Sequence, residues 1–140
     1  MQRDIIEMNW KEFEKSALDL ANQIIQSNIK LSNIWGNPRG GLPLAVRLSH
    51  LLSIPLIVNW KDEHNDNTLI VDDVVDTGNT LEPYNEPCIW RIAVLYYNPK
   101  ASFQPTFFSL KKPDNSWIIF PWEQGGVVGN LYISRTEISW

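Results

Sequence analysis

Between Asn9 and Asn28, apolar residues recur three or four positions apart, at Phe13, Ala17, Leu20 and Ile24, with charged and amide residues between them. That spacing draws one apolar stripe along a helix, and Asn9 is placed to cap its first turn. The period then changes. "LSNIWG" (31–36) reads as a short buried strand, followed by the turn "NPRGG" (37–41). Pro43 suits the first turn of a second helix, striped by Leu44, Leu48, Leu51 and Leu52 and ending near Ser53. "PLIVNW" (55–60) predicts a strand, "KDEHNDN" (61–67) a polar connection, and "TLIVDD" (68–73) a third strand. Its unbroken apolar interior suits a strand covered on both faces. A helix after Thr80 is limited to about one turn by Pro83 and Pro87. "RIAVLYY" (91–97), "TFFSL" (106–110) and "WIIF" (117–120) complete the strands.

Strands alternating with helices predict an α/β fold in one domain, residues 1–140, with a mainly parallel, helix-flanked central sheet. In such sheets ligands bind beyond the carboxyl ends of the strands. Two turns emerge there, "NPRGG" and "DDVVDTGNT".

Charge narrows the partners. The net charge of −4 opposes a general nucleic-acid binder or a protein that coats anionic membranes. Any phosphate must be held locally, by backbone N–H groups, an arginine or a metal ion. Cys88 is the one cysteine, so no disulfide forms within the chain and a reducing compartment, the cytoplasm, is expected. The most apolar stretch, Leu42 to Trp60, is interrupted by Arg47, His50 and Asn59 and predicts no membrane span.

Asp72, Asp73 and Asp76 place three carboxylates within five residues at a strand end. One acid there could simply cap the next helix, but three repel one another unless cations or hydroxyl groups compensate. Ribose hydroxyls and Mg²⁺ are both suitable partners. The turn "TGNT" (77–80) adds consecutive N–H groups, two hydroxyls and a glycine without Cβ, the makings of a phosphate cup.

"LIVDDVVDTGNTL" resembles the phosphoribosyl pyrophosphate (PRPP) motif of the type I phosphoribosyltransferases. The resemblance implies that Asp72 and Asp73 hold the ribose hydroxyls and Mg²⁺, and that Thr77, Gly78, Asn79 and Thr80 hold the 5′-phosphate. It implies that Asp76 sits near the base and helps move its proton. "WGNPRGGLPLAVRLSHLLSIPL" (35–56) resembles the pyrophosphate loop of the xanthine–guanine branch. Arg39, Gly40 and Gly41 would then bind pyrophosphate, with Arg39 also stabilising its departure, and the Pro38–Arg39 peptide would be cis. "KPDNSWIIFPWE" (112–123) resembles the purine end of that branch, a small C-terminal hood. There Trp117 would stack on the base and the Ile118 backbone would read its edge. Asn98 stands where the family has a purine-reading lysine, and so becomes a base-binding candidate.

The activity so implied is Mg²⁺-dependent transfer of ribose 5-phosphate from PRPP to a nucleobase, a purine above all, with release of pyrophosphate. A cytoplasmic homodimer free of nucleic acid and membrane is expected. The connection at 59–68 is short for a loop that closes over PRPP, which supports a second possibility, a non-catalytic PRPP- or nucleotide-binding module. "VVDTG" also resembles the Asp-Thr-Gly of aspartic proteases. Those proteins are nearly all β, give Asp72 and Asp73 no role, and usually carry serine or alanine where Asn79 stands.

Overall fold

In the computed structural model, which describes residues 3–81, 91–123, 126–128 and 131–133, the first helix begins with a reciprocal cap. Asn9 Oδ1 accepts from the Glu12 N–H at 2.8 Å, and Glu12 Oε1 accepts from the Asn9 N–H at 3.0 Å. Helix α1 runs Trp10–Ser27 and stops at Asn28, whose φ of 59° cannot continue it. Helix α2, Leu42–Leu52, carries proline in its first turn and ends at Ser53 in the left-handed conformation.

Two compact units divide the chain, Met1–Glu14 with Asn115–Trp140, and Lys15–Asp114. The larger holds a five-stranded sheet of β2 (Asn33–Gly36), β3 (Leu56–Ile57), β4 (Thr68–Val75), β5 (Arg91–Tyr97) and β6 (Phe107–Lys111). Its order is β3-β2-β4-β5-β6, and every neighbouring pair is parallel. This is the α/β architecture that the alternating pattern predicts. Leu69, Ile70 and Val71 of β4 are fully buried, as a central strand with both faces covered requires. Ile57, Ile70, Ile92 and Val94 form one cluster with Trp35, Val75, Leu81 and Tyr97.

The smaller unit pairs β1 (Asp4–Glu7) in parallel with β7 (Ser116–Ile119) and adds a short 3-10 turn, Pro121–Glu123. There Trp122 stacks on Phe120 and meets Phe13 edge-on. Strands β8 (Gly126–Val128) and β9 (Leu131–Ile133) form an antiparallel pair.

Several boundaries differ from the pattern. β3 keeps only two residues of the predicted 55–60 strand, because Asn59 turns the chain and caps a short helix, α3 (Trp60–Glu63). β4 continues two residues further than predicted, through Val75. The stretch after Thr80 with Pro83, Pro87 and Cys88 lies outside the described residues beyond Leu81. Among the described residues no helix is long and apolar enough to cross a membrane.

Candidate functional site

Strand β2 ends at Gly36, and the chain turns at once toward α2. Asn37 holds that turn to the next strand at two points. Its N–H donates to the Val71 carbonyl at 2.8 Å, and its Nδ2 donates to Asp72 Oδ2 at 3.0 Å. The Pro38–Arg39 peptide is cis, as the resemblance implies. Gly40 and Gly41 are needed for space. A Cβ on Gly40 would lie 2.2 Å from Asp73 Oδ2, and one on Gly41 would lie 2.3 Å from the Val71 carbonyl oxygen. The loop and the end of β4 therefore touch backbone to carboxylate, an approach only glycine permits.

Asp72 is buried at 6% exposure, and Asp73 is partly buried beside it. Asp72 Oδ1 accepts from the Asp73 N–H at 2.8 Å, and Asp73 Oδ1 from the Val74 N–H at 2.8 Å. Burial raises the Asp72 carboxyl above its ordinary range, against the bonds from Asn37 and Asp73. Burial, and then the neighbouring Asp72, push Asp73 up to about 7. Two carboxyls in one poorly solvated place do not both ionise easily without a partner.

After β4, the turn at Thr77–Thr80 is set by Gly78 at φ 93° and by Thr77 Oγ1, which accepts from the Asn79 N–H at 3.2 Å. The connection beyond β5 lies against it. Ser102 donates its N–H to the Thr77 carbonyl at 2.8 Å, and a Cβ on Gly78 would fall 2.2 Å from Ser102 Oγ. A cavity of about 290 Å³ opens where these parts meet. Asn37, Pro38 and Gly40 line it from the loop, Asp72, Asp73 and Asp76 from the strand end, and Thr77, Gly78 and Thr80 from the turn. Its walls therefore bring the carboxyl-bearing Asp72, Asp73 and Asp76 together with the hydroxyl-bearing Thr77 and Thr80.

Arg39 and Asn79 are exposed and Gly41 is buried; none of the three lines the cavity. Trp117 and Ile118 lie on β7 in the smaller unit. Trp117 is 42% exposed with the Arg3 guanidinium 5.3 Å from its ring centre, and Ile118 is buried.

Asn98, the base-binding candidate on the strand side, has its side chain buried and engaged. Its Nδ2 donates to Asp76 Oδ1 at 3.0 Å and to Asp114 Oδ1 at 3.2 Å, and its Oδ1 accepts from the Lys100 N–H at 3.0 Å. Sequence reasoning missed Asn37, Ser102 and Lys112. An asparagine before proline at a strand end is a signal for Asn37. Nothing local marks Lys112, which is buried with its Nζ 3.1 Å from Asp76 Oδ1.

No protein-family model matches the chain. A purine phosphoribosyltransferase from Pyrococcus horikoshii Ot3 is similar in structure, with 33% identity and a TM-score of 0.73. That similarity covers 89% of this chain and 97% of the other. A xanthine-guanine phosphoribosyltransferase from Desulfotalea psychrophila (strain LSv54 / DSM 12343) is 25% identical over 150 residues, 93% of each chain. The fold is also shared with the Helicobacter pylori xanthine-guanine-hypoxanthine phosphoribosyltransferase, at a TM-score of 0.74 and 23% identity, covering 87% of this chain and 94% of that one.

Proposed function

The chain belongs to the purine phosphoribosyltransferase family, and from that premise we propose how its residues divide the transfer of ribose 5-phosphate from PRPP to a purine of the xanthine–guanine–hypoxanthine class. One observation carries the reading: a single cavity gathers the loop after β2, the acidic end of β4 and the Thr77–Thr80 turn.

The turn receives the 5′-phosphate, and Asp72 and Asp73 accept hydrogen bonds from the ribose hydroxyls. The loop Arg39-Gly40-Gly41 receives pyrophosphate, with the Arg39 guanidinium as its charged donor. Trp117 stacks on the base and the Ile118 backbone reads its edge. Asp76 holds the proton of the base nitrogen that attacks the anomeric carbon as the bond to pyrophosphate breaks. Asn98 serves this arrangement from behind Asp76.

The donor set fits Mg²⁺. Asp72 and Asp73 are adjacent oxygen donors whose burial disfavours uncompensated charge, and Mg²⁺ is commonly held by one or two carboxylates together with substrate phosphates. Bound there, it would neutralise charge on the departing pyrophosphate. Residues 1–140 act as one phosphoribosyltransferase domain, in the cytoplasm and as a homodimer.

Incubation with PRPP, Mg²⁺ and each of hypoxanthine, guanine, xanthine and adenine tests the proposal. Nucleotide and pyrophosphate should form together with the oxopurines. Nucleotide binding without pyrophosphate release would instead favour the non-catalytic module.

A further inference from the structure

Three neighbouring strands of the parallel sheet end in step. Val75 of β4 is level with Tyr97 of β5, and Tyr97 with Lys111 of β6. The ladder runs one residue further, since the Asn98 N–H donates to the Val75 carbonyl at 2.8 Å and the Lys112 N–H to the Tyr97 carbonyl at 2.7 Å. The next residues, Asp76, Asn98 and Lys112, therefore stand side by side across three strand ends. Their side chains converge on one atom. Asp76 Oδ1 accepts from Asn98 Nδ2 at 3.0 Å and lies 3.1 Å from Lys112 Nζ.

The two ends of this ion pair differ. The Asp76 side chain is 45% exposed and lines the cavity, while that of Lys112 is 5% exposed. Lysine is almost never buried so deeply unless its charge is paired. The pair therefore resembles a fixed cation set behind a working carboxylate, rather than two mobile side chains meeting in water. Other charges lie around it: Asp73 on the same strand, Asp114 on the second hydrogen of the Asn98 amide, and Lys100, whose Nζ lies 3.0 Å from Asp114 Oδ2.

We propose that Lys112 is a positioning residue for the transfer, fixing Asp76 in one orientation and keeping it ionised, so that it accepts the ring N–H of the incoming purine. Asn98 is its neutral assistant on the same oxygen. This rests on the reading that Asp76 faces the base, and it assigns the necessary cation to a strand end outside the loop, the acidic pair and the phosphate turn.

The test uses wild type, Lys112→Met, Lys112→Arg and Asp76→Asn as full chains. Carboxyl ¹³C NMR of the ligand-free protein follows the titration of Asp76. Its midpoint should rise by about one unit in Lys112→Met, since an opposite charge at this distance favours the ionised form, and should return in Lys112→Arg. In steady-state kinetics, Lys112→Met should lower kcat/KM for the purine about tenfold, leaving KM for PRPP within about twofold, with Arg restoring most of the loss. An unchanged midpoint, or an equal loss in both substrates that Arg does not restore, overturns the proposal. If Asp76→Asn leaves purine kcat/KM intact, the placement of Asp76 itself is wrong, whatever the NMR midpoint shows. Should Lys112→Met fail to fold, Lys112→Gln keeps a donor, removes the charge and gives the same titration reading.

Discussion

Asn37 Nδ2 donates to Asp72 Oδ2 across 3.0 Å, and this bond ties the loop after β2 to the end of β4. It joins the wall assigned to pyrophosphate to the wall assigned to ribose. Asn37→Ala removes the donor and leaves a buried carboxylate with one partner fewer. A hydrogen bond to a group of this kind is worth about 1.5–3 kcal/mol. Urea unfolding should show a loss of that order, and calorimetry should show weaker binding of pyrophosphate. Loss of stability with unchanged pyrophosphate affinity would confine Asn37 to a structural role.

The Asp73 carboxyl, raised from 3.8 to about 7 by burial and by Asp72, makes the protein's stability depend on pH. Between those values the folded state keeps a proton that the unfolded chain has released. Stability should therefore fall as pH rises from about 4 to about 7 and level off above. Asp73→Asn removes the Asp73 share of that dependence and leaves that of the buried Asp72, which is raised in the same direction. In metal-free protein with EDTA it should be more stable than wild type at pH 8, by roughly 2–4 kcal/mol, and the advantage should vanish near pH 4. The same variant should bind PRPP more weakly, although it carries less negative charge. Equal pH slopes in the two proteins, or tighter PRPP binding, would contradict this account.

Gly78 combines a φ of 93° with a side-chain position already filled by Ser102 Oγ, 2.2 Å from where a Cβ would stand. Gly78→Ala should cost about 1–3 kcal/mol, from backbone conformation and from the clash together. It should also weaken ribose 5-phosphate binding by displacing the turn. The double variant Gly78→Ala/Ser102→Gly relieves only the clash, so it should recover part of the stability. Thermal unfolding of all three proteins separates the two contributions.

What the sequence showed and hid follows from how local each signal was. The Asn9 cap, the Gly-rich loop and the Thr77–Thr80 turn are short-range arrangements, legible because the residues that make them are neighbours in the chain. β1 is four residues whose partner, β7, lies more than a hundred positions away, so nothing in "DIIE" announces it. The partners of Asn98 were hidden for the same reason. The place of Asn98 is fixed by the register that sets Tyr97 between Val75 and Lys111. Two of the Asn98 amide's acceptors, Asp76 and Asp114, come from outside its own strand. Lys112 was hidden because a lysine after a strand is ordinarily solvated, and only the pairing of β5 with β6 brings its Nζ to Asp76.

Trp117 offers a prediction in which stability and binding move apart. A tryptophan that serves as core loses about 3–5 kcal/mol when truncated and has no reason to alter ligand affinity. Trp117 is 42% exposed, and the contact known for its ring face is the Arg3 guanidinium, an exposed pairing worth about 0.5–1 kcal/mol. Trp117→Leu should therefore cost about 1 kcal/mol of stability by urea unfolding. Stacking on a base is worth about 1–3 kcal/mol, so affinity for guanosine monophosphate should fall by about one to two powers of ten. Ribose 5-phosphate has the same sugar and phosphate and no base. Its affinity should not change. An equal loss for both ligands would mean that the substitution disturbs the phosphate site and not the base, and an equal absence of loss would leave Trp117 as surface packing for Arg3.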